Sequence, residues 1–166
     1  MMVSAIQRED NAPAEISIRP VAIPDDIRWL QQWTGVAAEA LTTFYENTAS
    51  GSFMQCMMVW ENEQPILQVD ICEALFDDLG AGDAVGPGDY TLRLQFAPNA
   101  ADSSIWRGLY NCLDYVFVTR KANRILIPVY KSNHMLLEWV KEAHFTLSAG
   151  TMNTPLHKLY MLTKAS

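Results

Sequence analysis

The sequence has few of the features that identify several common protein classes. Lysine and arginine together number 12 against 19 acidic residues, a formal net charge of −7, so a surface that binds nucleic-acid phosphates is not expected. The three cysteines, Cys56, Cys72 and Cys112, lie in separate apolar runs without a CxxC or Cys/His pattern, which argues against a zinc site and a disulfide framework. No apolar run is long enough to span a membrane. We therefore expect no metal, no membrane and no nucleic-acid partner.

What is present is typical of one globular domain. The chain has 166 residues, of which 49% are hydrophobic and 19% charged, and a chain of this size can bury a core. Residues 1–15 are polar and lack the apolar segment of a signal peptide, so we interpret them as a tail before a single domain over 16–166. Cysteines in apolar runs are typical of reduced thiols, and the cytoplasm is the predicted location.

The spacing of apolar residues predicts the element order β-α-α-β-β-β-α-β-α-β-β. The segment ENEQ, Glu61–Gln64, is a turn-sized polar gap between two apolar strands and predicts a hairpin. Pro128 is expected at the end of the fifth strand, and Ser132 is expected to cap the helix that follows. The predicted strands lie at 16–22, 53–60, 65–72, 90–97, 124–129, 145–151 and 156–163, and the helices at 25–33, at 37–45, from about 102, and after 132.

The stretch APNAADSSIW, Ala97–Trp106, lies between the fourth strand and the next helix. A helix N-terminus attracts anions because its first N–H groups have no partner in the helix and the helix dipole is positive there. Phosphate-binding turns of this kind usually contain glycine, but none occurs here before Gly108. Ser103 and Ser104 offer N–H groups and hydroxyls to a phosphate, whereas Asp102 adds a negative charge. The sequence leaves two interpretations open, a weakened phosphate site and a helix cap.

The order of elements is similar to that of the GNAT superfamily of N-acetyltransferases. The resemblance implies an α/β fold of the α+β type, in which helices flank a mixed central sheet and the fourth and fifth strands splay apart. It also implies acetyl-CoA or a related acyl-CoA as co-substrate, held between those strands with its diphosphate on the turn before the next helix. The residues that would contact the acyl-CoA are Leu94, Phe96, Ser103, Ser104 and Asn133.

Four segments resemble more closely the aerobactin-type lysine N-acyltransferases of siderophore biosynthesis. They are IRP, PDDIRWLQQW, QPILQVDICEALFDDL and GDYTLRLQFAP, at Ile18–Pro20, Pro24–Trp33, Gln64–Leu79 and Gly88–Pro98. The resemblance implies transfer of an acyl group to a small-molecule amine or hydroxylamine. A homodimer is possible.

The chain departs from this branch at two positions that matter for chemistry. Where the branch has a histidine on the fourth strand, this sequence has Arg93, and where it has an aspartate after the fifth strand, this sequence has Tyr130. An arginine cannot act as a base near neutral pH. The alternative function is therefore a GNAT-fold binding or interaction module without catalytic activity.

Asp70 is the leading candidate for a catalytic residue. It lies in the apolar run LQVDICEA, where an unpaired charge is costly, so it is either a base or substrate-amine contact, or a partner of Arg93 in a salt bridge. Tyr130 is the second catalytic candidate, because its hydroxyl can donate to the departing thiolate; a structural tyrosine is the alternative.

Two further residues are candidates for binding the acceptor. Arg93 can hold a substrate carboxylate through two hydrogen bonds, or it can pair with Asp70 or Asp89. Glu73 can line the entrance to the site with the nearby Asp77, although a solvated acidic loop is the alternative.

Overall fold

The computed structural model describes residues 15–51, 53–77, 85–148 and 157–164. The strands are β1 (Ile16–Pro20), β2 (Met54–Glu61), β3 (Gln64–Glu73), β4 (Asp89–Phe96), β5 (Arg124–Tyr130), β6 (Thr146–Leu147) and β7 (His157–Thr163). The helices are α1 (Ile27–Thr34), α2 (Ala38–Ala49), α3 (Asp102–Asp114), which continues as a π-helical turn at Tyr115–Thr119, and α4 (His134–Glu142). This is the predicted element order. Of the predicted tail, all but Glu15 lies outside the described residues.

The strands form one seven-stranded sheet in the order β1-β2-β3-β4-β5-β7-β6. Neighbouring strands are antiparallel except for β4 and β5, which run parallel. The predicted hairpin joins β2 to β3 and closes with Glu61 opposite Gln64. Asn62, in its turn, has φ of 56°, a left-handed conformation that asparagine tolerates. The predicted mixed sheet is therefore confirmed.

One face of the sheet packs against α3 and α4. Alternate residues of β3 point to this face, and Leu67, Val69 and Ile71 are buried there in the main core. Gly108 of α3 lies at the contact, where a Cβ atom would come within 2.7 Å of Ile66 Cδ1 and 3.1 Å of Leu67 Cδ2. The single glycine of α3 therefore permits close packing of helix on sheet.

The opposite face is covered by helices over part of its width. Leu30 of α1 and Tyr45 of α2 pack against Met58 of β2. Further across the same face, the alternation of β3 presents Gln68 and Asp70, which are polar. Gln68 is buried and Asp70 is partly buried, and the candidate site is built at this polar middle of the sheet.

The parallel strands β4 and β5 are paired at one end only. Their pairs are Asp89 with Arg124, Tyr90 with Ile125, and Thr91 with Leu126. Both strands continue beyond the last pair, β4 to Phe96 and β5 to Tyr130. They therefore separate towards their C-terminal ends, and the splay implied by the resemblance is confirmed. We call the space between the separated segments the β4–β5 gap.

Backbone alternation determines which groups face this gap. The Ala97 N–H donates to the Ile66 carbonyl at 2.9 Å, so odd-numbered residues of β4 bond to β3, and the N–H groups of Leu94 and Phe96 are directed towards β5. The Lys164 N–H donates to the Asn123 carbonyl at 2.8 Å. By the same alternation, the even-numbered residues of β5 direct their backbone groups towards β4.

Pro128 lies inside β5, opposite Leu159 of β7, so the prediction that it ends the strand is wrong. Its ring nitrogen is directed towards β4, at a point where β4 and β5 no longer pair. A proline inside a strand removes one ladder hydrogen bond, but here the partner strand has already separated. The proline is tolerated because its position faces the gap.

The closed end of the gap is held by side chains as well as by strand pairing. The guanidinium of Arg124 binds both carboxylate oxygens of Asp89, with Nε donating at 2.9 Å, and the Gly86 N–H donates to the same carboxylate at 2.9 Å. Gly88 has φ of +88°, and its carbonyl accepts from the Asn123 N–H at 2.7 Å. These contacts fix where the two strands begin to separate.

Other sequence predictions need correction at the ends of elements. Helix α2 extends to Ala49, four residues beyond the predicted end. The cap of α4 is Asn133, whose side chain accepts from the Leu136 N–H at 3.2 Å, and not Ser132. The predicted strand at 145–151 is described only as far as residue 148, and β6 within it spans two residues.

Candidate active site

Asp70 is at the centre of a polar cluster on the face of the sheet that α1 and α2 partly cover. Gln68 Nε2 donates to Asp70 Oδ1 at 2.7 Å, and Cys56, opposite Asp70 on β2, also hydrogen bonds to it. Burial raises the pKa of Asp70 above its ordinary value, while the hydrogen bonds from Cys56 and Gln68 and the charge of Arg93 oppose this rise. A carboxylate with a raised pKa is a stronger base once it is ionised.

The neighbours of Asp70 remain protonated at neutral pH. Burial, followed by the negative charge of Asp70, raises the pKa of Cys56 above its ordinary value, and the same two causes raise the pKa of Tyr45. Burial also raises the pKa of Cys72, to about 11. Cys56 is therefore a thiol that supports Asp70 as a donor, and none of these groups competes with Asp70 as a base.

Arg93 lies directly opposite Asp70 on β4, as the predicted pairing of these residues requires. The guanidinium also hydrogen bonds to Asp77: Arg93 Nη2 donates to Asp77 Oδ1 at 2.5 Å. Asp77 also accepts from Thr91 Oγ1 at 2.5 Å, and its side chain is only 3% exposed. The interpretation of Asp77 as part of a solvated loop is wrong, because Thr91 and Arg93 hold its carboxylate against the sheet.

Asp89 and Glu73 occupy different positions relative to this cluster. Asp89 pairs with Arg124 and so is not the partner of Arg93. Glu73 ends β3 opposite Tyr90 of β4 and is half-buried. It lies at the end of the sheet where a 3-10 turn, Ala74–Phe76, leads towards Asp77, which fits a residue at the entrance of the site.

Tyr130 is the last residue of β5 and its side chain is 59% exposed. It lies four residues beyond the last pair of β4 and β5, about 13 Å along the strand. Asp70 neighbours β4 only two residues beyond that pair, through Arg93. The two candidate catalytic residues thus lie at opposite ends of the gap, Asp70 near its closed end and Tyr130 at its mouth.

The start of α3 contains a salt bridge and a serine contact that the sequence did not indicate. Ser104 Oγ donates to Glu61 Oε1 at 2.7 Å, and Arg107 holds the other oxygen, Oε2, through Nε at 2.9 Å and Nη2 at 2.7 Å. Ala101 is the N-cap residue and its side chain forms no capping bond. Asp102 and Ser103 are exposed in the first turn. The turn is therefore not a side-chain cap, and Glu61 already engages one of the two serines.

Asn133 does what a capping residue does at the start of α4. Its side chain accepts from Leu136 N–H, and its own N–H donates to the Tyr130 carbonyl at 2.9 Å. Asn133 therefore has a structural role at the start of α4, in addition to any contact with acyl-CoA.

Several residues that build the site were not singled out from the sequence. Cys56, Gln68 and Glu61 reach it only through strand pairing or a contact between distant elements. The register of β3 against β2 would have indicated Cys56, because an offset fixed by the hairpin places it opposite Asp70. Glu61 and Ser104 are 43 residues apart, and no local pattern connects them.

The described residues hold no group of three or more histidine, cysteine or acidic side chains arranged to bind a metal ion. Among those residues there is also no helix with the length and apolar character needed to cross a membrane.

Comparison with known proteins gives structural matches only. No protein-family profile matches the chain, and no curated protein matches it in sequence. An uncharacterized protein from Bacillus halodurans is 14% identical, with a TM-score of 0.79 over 90% of this chain and 84% of that one. The N-acetyltransferase PseH of Campylobacter jejuni, in complex with acetyl coenzyme A, is 18% identical, with a TM-score of 0.70 over 91% and 100%.

A mutant of the spermidine N-acetyltransferase SpeG from Vibrio cholerae is 12% identical, with a TM-score of 0.69 over 89% of this chain and 93% of that one. At these sequence identities the similarity supports the fold alone. The acceptor and the chemistry have to be argued from the residues of the site. The chain has the fold of the GNAT N-acetyltransferases.

Proposed function

We propose that this protein is an acyl-CoA-dependent N-acyltransferase that uses acetyl-CoA and acts on a small amine or hydroxylamine. The observation that carries the proposal is the separation of β4 from β5 beyond Thr91 and Leu126. It leaves the N–H groups of Leu94 and Phe96 facing a gap into which an extended thioester can pair as a strand would. Asp70 lies one strand away from the closed end of that gap.

The proposed chemistry is direct attack of a neutral nitrogen on the thioester carbonyl. The C–N bond forms, the nitrogen loses a proton to Asp70 directly or through water, and the C–S bond breaks to release the thiolate. Backbone N–H groups along β4 stabilise the negative charge on the carbonyl oxygen. The thiolate takes its proton from water, because Tyr130 lies at the opposite end of the gap from Asp70. Tyr130, Ser103, Ser104 and Asn133 are the proposed contacts for the rest of the acyl-CoA.

Charge around Asp70 bears on the acceptor. Asp70, Asp77 and Glu73 supply three carboxylates, and Arg93 supplies one cation that Asp77 already binds. This balance favours a cationic amine, a class that includes the spermidine named for SpeG. A hydroxylamine acceptor with a carboxylate, as in the siderophore-type branch, would instead use Arg93 as its anchor, with Glu73 beside the amine.

Thiol release from acetyl-CoA tests the proposal. Wild-type protein is assayed with spermidine, lysine and N-hydroxylysine, and with Asp70→Asn as the matched inactive variant. We expect turnover with at least one of these acceptors and loss of about 100-fold or more in Asp70→Asn, the usual scale for removal of a general base. If neither protein releases thiol with any of the three acceptors, an enzymatic function is contradicted.

A second candidate, a binding module without catalysis, is favoured by one observation. The start of α3 carries Asp102, and Ser104 already donates to Glu61, whose charge Arg107 balances, so a diphosphate there would meet the carboxylate of Asp102 and a serine hydroxyl that is already engaged. If the diphosphate does bind this turn, Asp102→Asn should bind acetyl-CoA more tightly by up to about fivefold, corresponding to about 1 kcal/mol at a solvated helix start.

Titration calorimetry at one ionic strength distinguishes the cases. Tighter binding by Asp102→Asn is the expected result. An affinity that is unchanged or weakened would show that this charge does not oppose the ligand. Absence of binding to either protein would favour the module. Cytoplasmic location and homodimerisation also remain predictions, and light scattering on the purified protein tests the second.

A further inference from the structure

Three of the five lysines in the chain surround one cavity. Lys131 follows β5, Lys141 lies on α4, and Lys158 lies on β7 opposite Val129. The cavity has a volume of about 430 Å³ and opens to solvent. Because the lysines come from three separate elements, the fold and not the local sequence brings them together. We call this space the lysine cavity.

The walls of the lysine cavity are apolar and aromatic. Val129 is buried, and Leu137 and Tyr160 are partly buried against the main core. Tyr130, which ends β5 at the mouth of the β4–β5 gap, also lines the cavity. An apolar and aromatic wall with ammonium groups around it suits a ligand that joins a flat ring to an anion.

These lysines differ from most of the arginines in having no carboxylate partner among the described residues. Arg19, Arg93, Arg107 and Arg124 each form a salt bridge to an aspartate or glutamate. By contrast, within 15–51, 53–77, 85–148 and 157–164, no carboxylate forms a salt bridge with Lys131, Lys141 or Lys158. In a chain with net charge −7, this concentration of unpaired positive charge distinguishes the cavity electrostatically from its surroundings.

We propose that the lysine cavity binds a phosphate monoester carried on a nucleoside. Two sources share that chemistry. One is the 3′-phosphate of an acyl-CoA whose thioester arm lies in the β4–β5 gap, and this source rests on the proposed function. The other is a separate nucleotide. The ring would lie against the apolar wall, and the lysine ammonium groups would donate to the phosphate oxygens.

The test uses three probes and matched lysine variants. Affinities for CoA, dephospho-CoA and adenosine 3′,5′-bisphosphate are measured by calorimetry at low and high salt. The variants are Lys141→Gln, Lys158→Gln and the double substitution. The control, Lys164→Gln, makes the same change of charge at one exposed residue, next to the other end of β7. Melting temperatures establish that all variants are folded.

We expect each cavity variant to weaken binding of the phosphate ligand by up to about fivefold, the scale of one exposed charge pair, and more at low salt than at high salt. If the phosphate belongs to acyl-CoA, CoA will bind the wild type more tightly than dephospho-CoA does, and the double variant will remove that difference. If it belongs to a separate nucleotide, the bisphosphate will bind in a lysine-dependent manner without displacing CoA.

Two results would overturn the proposal: CoA and bisphosphate affinities that are the same in the double variant and in Lys164→Gln, or failure of both ligands to bind the wild type. The proposed function fails separately. If acyl transfer occurs but ligand binding does not depend on the lysines, the proposed function stands and the proposed phosphate site is wrong. If the bisphosphate binds in a lysine-dependent manner but no acyl transfer occurs, the phosphate site stands and the proposed function is wrong.

Discussion

At the scale of single residues, Asp70 shows how burial links stability to function. Its pKa is raised in the folded protein, so the folded state holds this proton more strongly than the unfolded state does. Stability therefore falls as pH rises from the ordinary pKa of an aspartate through the raised value, and the cost persists above it. The same carboxylate must be ionised to accept a proton from an acceptor.

Replacing Asp70 by asparagine should therefore separate the two effects. We expect Asp70→Asn to lose activity and to be at least as stable as the wild type at pH 8, with a smaller advantage or none at pH 4. In the wild type, kcat/KM should rise with pH through the raised pKa. Urea unfolding at both pH values and a pH–rate profile check this. If the stability of Asp70→Asn relative to the wild type is lower at pH 8 than at pH 4, burial is not the origin of the raised pKa of Asp70.

Gly108 tests packing at the same scale. Because a Cβ atom there would approach Ile66 and Leu67 side chains in the core, Gly108→Val should lower the free energy of unfolding by about 1–3 kcal/mol, as overpacked cores do. Gly86→Val is the control, since a Cβ atom at position 86 meets nothing within 4 Å. Equal stabilities of the two variants in urea would show that helix and sheet are not in close contact at residue 108.

Residue-scale predictions from the sequence succeeded where they depended on alternation. The alternation in TLRLQF puts Arg93 on the face opposite to Leu92 and Leu94, and it is exposed beside the buried Leu92. Its hydrogen bond to Asp77 was not predicted, because Asp77 reaches the sheet through a turn whose path is not encoded by any periodic pattern. Pairing across strands is predictable once register is known, whereas contacts made by connecting segments are not.

At the scale of elements, the closed end of the β4–β5 gap depends on Asp89 and Arg124. Asp89 is 4% exposed. Its own burial would raise the pKa of its carboxyl, but the hydrogen bonds from Arg124 and the Gly86 N–H outweigh that effect and lower it. The stabilisation is thus fully present above the ordinary pKa of an aspartate and is lost as pH falls through the lowered value.

Asp89→Asn should lower the free energy of unfolding at pH 7 by about 3 kcal/mol, the lower end of the range for breaking a buried pair, because Arg124 retains some access to water. The difference from wild type should shrink in acid. Arg107→Gln, which breaks the exposed pair with Glu61, is the comparison and should cost at most about 1 kcal/mol. Chemical unfolding at pH 7 and pH 3 provides the measurement, and a pH-independent difference would argue against an ionic origin.

The elements themselves were largely predictable, and their ends were not. Apolar periodicity identified every strand and helix that the structure describes, because both faces of the sheet bury alternate residues. Pro128 was misplaced because the rule that proline ends a strand assumes a paired neighbour. The longer α2 reflects tertiary packing of its last turns, which propensity alone does not report.

At the scale of the whole molecule, net charge should govern how acceptors arrive. With a net charge of −7 and carboxylates around Asp70, a cationic acceptor is attracted over several ångströms and the attraction is screened by salt. For a cationic acceptor of the proposed acyl transfer, we expect KM to rise about two- to fivefold between 25 and 300 mM NaCl, with kcat nearly unchanged. A neutral hydroxylamine acceptor serves as the control. An equal response of both acceptors would assign the salt effect to acyl-CoA instead.

The proline in β5 also has a kinetic consequence for the molecule. Since Pro128 has no N–H to donate to β4, β4 and β5 cannot form a hydrogen bond from this position when the gap is empty. A ligand entering there has no interstrand hydrogen bond to break first. Association should then be a single bimolecular step whose observed rate increases linearly with ligand concentration, without the plateau that a slow opening step imposes.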